Sequence, residues 1–158
     1  MNDWIFVLLI AALLGSALVG GIFFAFSTFI MKALARVPSS EGIRTMQSIN
    51  ITVINPAFLG VFLGTAVLSA VIVLLSLGVW SESLSHWFFV GALQYVIGTF
   101  LVTVFGNVPL NNRLESILPE DGEKLWAHYL SKWTFWNHIR TMAAIVAAFC
   151  FTMGLLQS

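Results

Sequence analysis

Charge is what this 158-residue chain has least of. Only 9% of it is Asp, Glu, Lys or Arg, against about 25% in a soluble domain. That scarcity excludes an ordinary water-soluble globule. It also excludes a disordered chain, whose composition must be polar and charged. The charge that is present cancels, seven basic residues against seven acidic, so there is no basic surface for nucleic acid and no net field to draw an acidic partner. Cys150 is the one cysteine; it has no internal disulfide partner and reads as a small packing residue. No P-loop, G-x-G-x-x-G, G-x-S-x-G or H-E-x-x-H occurs. Carboxylates fall only near the N-terminus and in loops, which leaves no buried pair for acid–base work. His128 and His138 stand about 15 Å apart along a straight helix and about 80° apart around it, too far to chelate one ion. His86 is expected at the opposite side of the bundle. A bis-His haem or a His-rich metal site is therefore not expected within one protomer, and no metal is assigned.

What the chain has in abundance is apolar length. It is 59% hydrophobic, with mean hydropathy +0.94. No charged residue occurs in 4–31, 45–81, 83–112 or 141–158, and about 20 apolar residues suffice to span a bilayer as a helix. Backbone groups in hydrocarbon must be satisfied within the segment, and the runs lack the two-residue alternation of barrel strands. The sequence predicts an all-α protein: four transmembrane helices at about 4–31, 55–79, 86–106 and 134–155, bundled in one domain over 1–158, with a short cytoplasmic helical loop between the third and fourth. The first run has no basic residue before Trp4 and exceeds the length of a signal-peptide core, so it reads as a retained helix.

Lys32, Arg36 and Arg44 flank the first loop, and Arg113, Lys124, Lys132 and Arg140 lie in or near the third. The second, from Trp80 to His86, holds Glu82 and no basic residue. All seven basic residues thus fall on one side, which the positive-inside rule assigns to the cytoplasm. A multi-pass protein of the cell membrane with both termini outside is expected.

Small residues recur at four-residue spacing: Ala12, Ser16, Gly20 and Ala17, Gly21, Ala25 on the first span, Gly60 and Gly64 on the second. Such ridges let helix backbones approach closely, either within the bundle or between copies in a homo-oligomer. Pro38-Ser39-Ser40 marks a helix start, and Gly42 to Ile54 reads as an amphipathic lead-in. Asn55-Pro56 reads as an N-cap with a first-turn proline, or as a kink in a longer helix. Gly106-Asn107-Val108-Pro109 is expected to end the third span. Glu123 to Met153 contains no Gly or Pro and can form one helix about 46 Å long.

Polar side chains gather at the cytoplasmic helix ends: Asn50, Asn55, Asn107, Asn111, Asn112, Asn137 and Arg140. Asparagine there also serves as a cap. On the fourth helix, Trp126, Tyr129, Trp133, Trp136, Asn137 and Arg140 fall within one arc of about 100°. Indoles sharing a face with an amide and a guanidinium look like the wall of a pocket for a flat conjugated or anionic ligand. The alternative is an interfacial anchor: the apolar run after Arg140 is about 27 Å long, slightly short of a core of about 30 Å, and Arg140 would then snorkel to phosphates.

Phe26-Ser27-Thr28-Phe29, Met46-Gln47-Ser48-Ile49-Asn50, Asn55-Pro56-Ala57-Phe58, Asn107-Val108-Pro109-Leu110-Asn111 and Trp136-Asn137-His138-Ile139-Arg140 resemble the anthrone-oxygenase-like family of small four-helix membrane proteins, many of them known only as a domain of unknown function. Some members oxidise anthrones to anthraquinones with O2 and no standard cofactor. The resemblance implies an O2-dependent oxidoreductase with no cofactor, acting on a phenolic or enolic hydrophobic aromatic small molecule at the cytoplasmic side. Such a molecule would stack on Trp133 and Trp136, with Trp126, Tyr129, Asn107 and Asn50 as further binding residues. Arg140, Asn137 and Asn111 would stabilise the oxyanion, and His138 is the candidate base although it falls on the opposite helix face. Besides the lipid bilayer and this ligand, the partner expected is a second copy, through Gly60/Gly64 or the small residues of the first span. A non-catalytic membrane subunit or small-molecule binder is the rival; as a purely structural cluster it predicts Arg140 among headgroups and no cavity. A channel would need a polar stripe through the full membrane depth.

Overall fold

The computed structural model describes residues 2–78 and 83–157. Trp80 and Glu82, in the loop expected between the second and third spans, lie outside the described residues. Five helices account for the fold: α1 (Asp3–Leu34), α2 (Ser39–Thr52), α3 (Pro56–Gly78), α4 (83–115) and α5 (Glu123–Leu156). α1, α3, α4 and α5 are each long and apolar enough to cross a membrane, as expected for a multi-pass membrane protein. α1 packs on α3 and α5, and α4 packs on the same two helices from the other side. The contacts between α4 and α5 run antiparallel: Gly91 lies by Cys150, Gly98 by Ala143 and Gly106 by Trp136. This is an up-and-down four-helix bundle, with α2 lying across one end.

Two apolar clusters fill it. The deeper one joins Leu9, Val19, Phe23, Phe62, Tyr95 and Phe151. The other, at the α2 end, joins Met31, Ile43, Met46, Leu114, Trp126 and Trp133. α2 is held there by specific features. Gly42 has no side chain to collide with the Trp126 indole, which a Cβ would meet at 2.7 Å. Gln47 Nε2 donates to the carbonyls of Leu114 (2.9 Å) and Ile117 (3.1 Å), satisfying acceptors that the end of α4 leaves open. Asn55 makes the corner into α3: its Nδ2 donates to Thr52 O (3.0 Å) and its Oδ1 accepts from Phe58 N (3.0 Å). It is an N-cap with Pro56 in the first turn, not a kink in one long helix.

One expectation is corrected and one open alternative is narrowed. Gly106 to Pro109 does not end the third span: α4 continues to Glu115, because the backbone passes through π-helical turns at Gln94–Leu101 and Thr103–Asn107 before resuming α geometry with Pro109 in its first turn. A proline is tolerated there because its missing N–H is not required. Nor, among the described residues, does a neighbouring helix pack closely on Gly60 or Gly64: none of its atoms lies within 4 Å of a Cβ built on either. Of the two ridges on α1, Ala12, Ser16 and Gly20 are buried, while Ala17 and Gly21 are exposed.

Gly98 and Gly64 therefore differ in consequence. A Cβ at Gly98 would stand 2.5 Å from Ala143 Cβ. Gly98→Val is expected to destabilise the bundle by about 1–3 kcal/mol, read as a lower unfolding midpoint in detergent. Gly64→Val should leave the midpoint within about 0.5 kcal/mol.

Candidate functional site

Between the two apolar clusters lies a polar layer. α1 enters it through a π-helical turn, Phe26–Ile30, and α4 crosses it through its own two. Such turns hold extra residues and re-aim side chains, and they recur at functional sites. On α4, Thr99, Thr103, Asn107, Asn111 and Glu115 follow at intervals of four. In an α-helix that spacing drifts by about 40° per step; the wider π turns keep the stripe closer to one face.

Asn137 on α5 organises the layer. Its Nδ2 donates to Phe23 O (2.8 Å) and Ser27 Oγ (2.7 Å) on α1, while its Oδ1 accepts Arg140 Nε (2.8 Å). A carbonyl on one side and a guanidinium on the other fix which amide atom is nitrogen. Thr141 donates to Asn137 O (2.6 Å), so Ser27 donates to Thr141 (3.1 Å) and the ring closes. Arg140 Nη1 reaches Thr103 Oγ1 at 3.4 Å. The guanidinium carbon lies 3.7 Å from the centroid of the Phe23 ring and 4.9 Å from that of Trp133, so cation–π attraction holds it between two rings. Arg140 is 6% exposed. Among the described residues no carboxylate stands within ion-pair distance of it and its Nη2 makes no hydrogen bond. Arg140 is thus not an interfacial anchor reaching to headgroups; its side chain turns into the bundle.

The aromatic residues of the same helix face form a column. Trp126 stacks on Tyr129 (5.6 Å, 13°), Tyr129 on Trp133 (6.0 Å, 22°), and Phe26 tilts against Trp133 (5.5 Å). Trp133 Nε1 and the Tyr129 hydroxyl both donate to Asn111 Oδ1, at 2.7 and 2.8 Å. Indole is a donor only, so this atom is the amide oxygen, which leaves Asn111 Nδ2 as a spare donor.

A cavity of about 410 Å³ opens beside the guanidinium, within the range of about 300–1,000 Å³ usual for small-molecule sites. Arg140, Asn111, Asn50 and Trp133 line it, with Thr103 and Glu115. Phe23, Phe26 and Ile22 of α1, Met46 and Ile49 of α2, and Phe58 and Phe62 of α3 supply the apolar wall. Asn50 Nδ2 is buried beside the Tyr129 hydroxyl, at a geometry short of a full hydrogen bond. The polar groups facing the hollow are therefore mostly unspent N–H donors, which suits an electron-rich oxygen.

The other expected site residues lie elsewhere. Asn137 is fully buried behind Arg140 and orients it. Asn107, also fully buried, donates to Trp133 O (3.1 Å) and holds α4 to α5. Trp126 and Tyr129 spend their ring faces on the column and do not line the cavity. Trp136 packs on Gly106, whose Cβ would lie 2.9 Å from the indole, and does not line it either. His138 is exposed on the far face of α5 and is not brought to the site, since α5 is one unbroken α-helix through this stretch. His128 is likewise exposed. Among the described residues no group of His, Cys, Asp or Glu could hold a metal. Phe23, Thr103 and Glu115 are among the lining residues that sequence reasoning missed; the four-residue stripe on α4 was the signal for two of them, and nothing local marked Phe23.

The anthrone oxygenase family model matches residues 56–150, which is more than half of the chain and includes Thr103, Asn111, Trp133, Asn137 and Arg140. The chain belongs to the anthrone oxygenase family. No curated protein and no solved structure matches it.

Replacing Asn137 by Leu strands Arg140 Nε and opens the Ser27–Thr141 ring. Each buried group left unsatisfied costs about 1–3 kcal/mol, so thermal unfolding in detergent should shift down clearly. His138→Ala, at an exposed position, should stay within about 0.5 kcal/mol of the parent.

Proposed function

We propose that this protein is an O2-dependent oxidoreductase that binds a flat phenolic or enolic aromatic molecule in the Arg140 cavity and oxidises a ring CH2 to a carbonyl, as in anthrone to anthraquinone. One observation carries the reading: a buried guanidinium that has no carboxylate partner among the described residues and an unspent N–H edge, lining an aromatic hollow. A charge removed from water costs several kcal/mol unless it is paired, and a ligand oxyanion supplies the missing partner. Family membership and the size of the cavity support the same reading.

The chemistry follows from the donors. The ligand loses a proton and becomes an enolate. Its oxygen accepts from Arg140 Nη2, with Asn111 and Asn50 as neighbouring donors, and these groups stabilise the charge as it forms. The enolate passes one electron to O2; the resulting radical and superoxide combine at the ring carbon, and proton uptake gives a hydroperoxide. Loss of water then leaves the carbonyl, so one oxygen atom of O2 stays in the product and the other departs as water. Glu115, the carboxylate among the described lining residues, takes the initial proton in place of His138. It is exposed, which couples it to bulk water for return of the proton. We orient this end toward the cytoplasm of the cell membrane, with both termini outside, on the support of seven basic residues at or near the first and third loops.

The test is oxygen uptake and anthraquinone absorbance with anthrone as substrate. Arg140→Met should lower kcat/KM by about 100-fold or more, as expected for loss of an oxyanion donor. Glu115→Gln should lower kcat by about tenfold to a hundredfold, with KM little changed. Tight anthrone binding without oxygen uptake would replace this reading with a non-catalytic small-molecule binder.

A further inference from the structure

Resting on that reading, we propose that ligand reaches the Arg140 cavity sideways, from the interfacial zone of the bilayer, and that the substrates are consequently aromatic phenols or enols that dissolve in membranes. The exposed residues lining the cavity cluster at one place. On one lip are Ile51 and Ile54, 62% and 69% exposed, at the corner between α2 and α3. On the other lip are Val108, Asn112 and Glu115, in the last turns of α4. Phe23, Phe62, Met46, Trp133 and Arg140 are buried and form the floor. The mouth therefore lies where α3 begins its apolar run and α4 ends its own, which is the level of the hydrocarbon boundary for a bundle of this length.

The lips differ in chemistry as that boundary requires. A single exposed isoleucine is ordinary, but two on the rim of a cavity, beside Val53, make an apolar patch suited to acyl chains, while Asn112 and Glu115 suit water. The aliphatic lip is also fixed in place. Asn55 bonds both sides of the corner, and Gln47 and the Arg44–Glu120 pair tie α2 to the segment after α4. The opening is thus a standing one. A flat molecule sliding in from lipid keeps its apolar edge on Ile51 and Ile54 and sends its oxygen toward Arg140.

The test uses the full chain in phosphatidylcholine vesicles with anthrone as the probe, following association by quenching of tryptophan fluorescence. With total anthrone fixed, adding lipid should slow association, because the concentration within the membrane falls. Ile51→Asp with Ile54→Asp should slow both association and dissociation by about tenfold. Ile54→Trp, which narrows the mouth without adding charge, should also slow both and stands in if the double variant fails to fold. Association unchanged in these variants, while Arg140→Met still weakens binding, overturns the lateral route alone. Binding undiminished in Arg140→Met, or absent from the parent protein, overturns the Arg140 reading and this inference with it.

Discussion

A single buried cation sets the terms for the rest of the molecule. Arg140 lies inside the bundle with no counter-carboxylate among the described residues, and the neighbouring elements compensate in kind. Phe23 and Trp133 offer ring faces, Asn137 gives its oxygen and Thr103 its hydroxyl. Each partner is neutral. Cation–π contacts and neutral hydrogen bonds hold the group in place, but they offset only part of the desolvation. The remaining electrostatic demand is directed into the cavity, where an anionic oxygen would meet it.

Geometry follows from that demand. To take Arg140 Nε, Asn137 must face it with its oxygen, so its nitrogen turns to α1 and binds Phe23 O and Ser27. Ser27 lies in a π-helical turn, and Thr103 lies in another on α4. The irregular turns coincide with the polar layer and are absent from α3, which donates only apolar residues to the cavity. The layer also separates two apolar clusters. A bundle with one continuous core would close over this hollow; here the aromatic column of Trp126, Tyr129 and Trp133 props one side and α2 roofs it.

The four spans were legible because a charge in hydrocarbon is costly and its absence over about 20 residues is hard to mistake. The inward face of α5 was legible too, since phase around one helix needs only residue numbers: the residues of the arc are buried or half-buried, and His128 and His138 are exposed. What the sequence did not disclose depends on a second helix. Phe23 caps Arg140 because α1 sits at one depth and rotation relative to α5. Trp136 shares the arc yet meets Gly106 of α4 instead of the cavity. Gly106 to Pro109 has the residues of a helix end, but the π-helical turn before it lets α4 run on to Glu115. Gly60 and Gly64 carry a packing pattern on which no neighbouring helix closes among the described residues, since small-residue spacing shows that close approach is possible and not what approaches.

The boundary of the family match adds one more step. Residues 56–150 contain Thr103, Asn111, Trp133, Asn137 and Arg140, the groups that hold or present hydrogen-bond donors. Much of the apolar wall comes from before it: Ile22, Phe23 and Phe26 on α1, then Met46, Ile49, Ile51, Val53 and Ile54 around α2. Polar chemistry and cavity shape are thus carried by different stretches of the chain. On the proposed reading, altering the volume at Phe26 or Met46 would change which ring system fits without disturbing the donors, whereas altering Asn137 would disturb the donors for any ligand. On the same reading, one scaffold would keep an oxygen-recognising centre while the residues before 56 set the shape of what is admitted, and Asn50, which adds a buried amide from that stretch, is the point where the two meet.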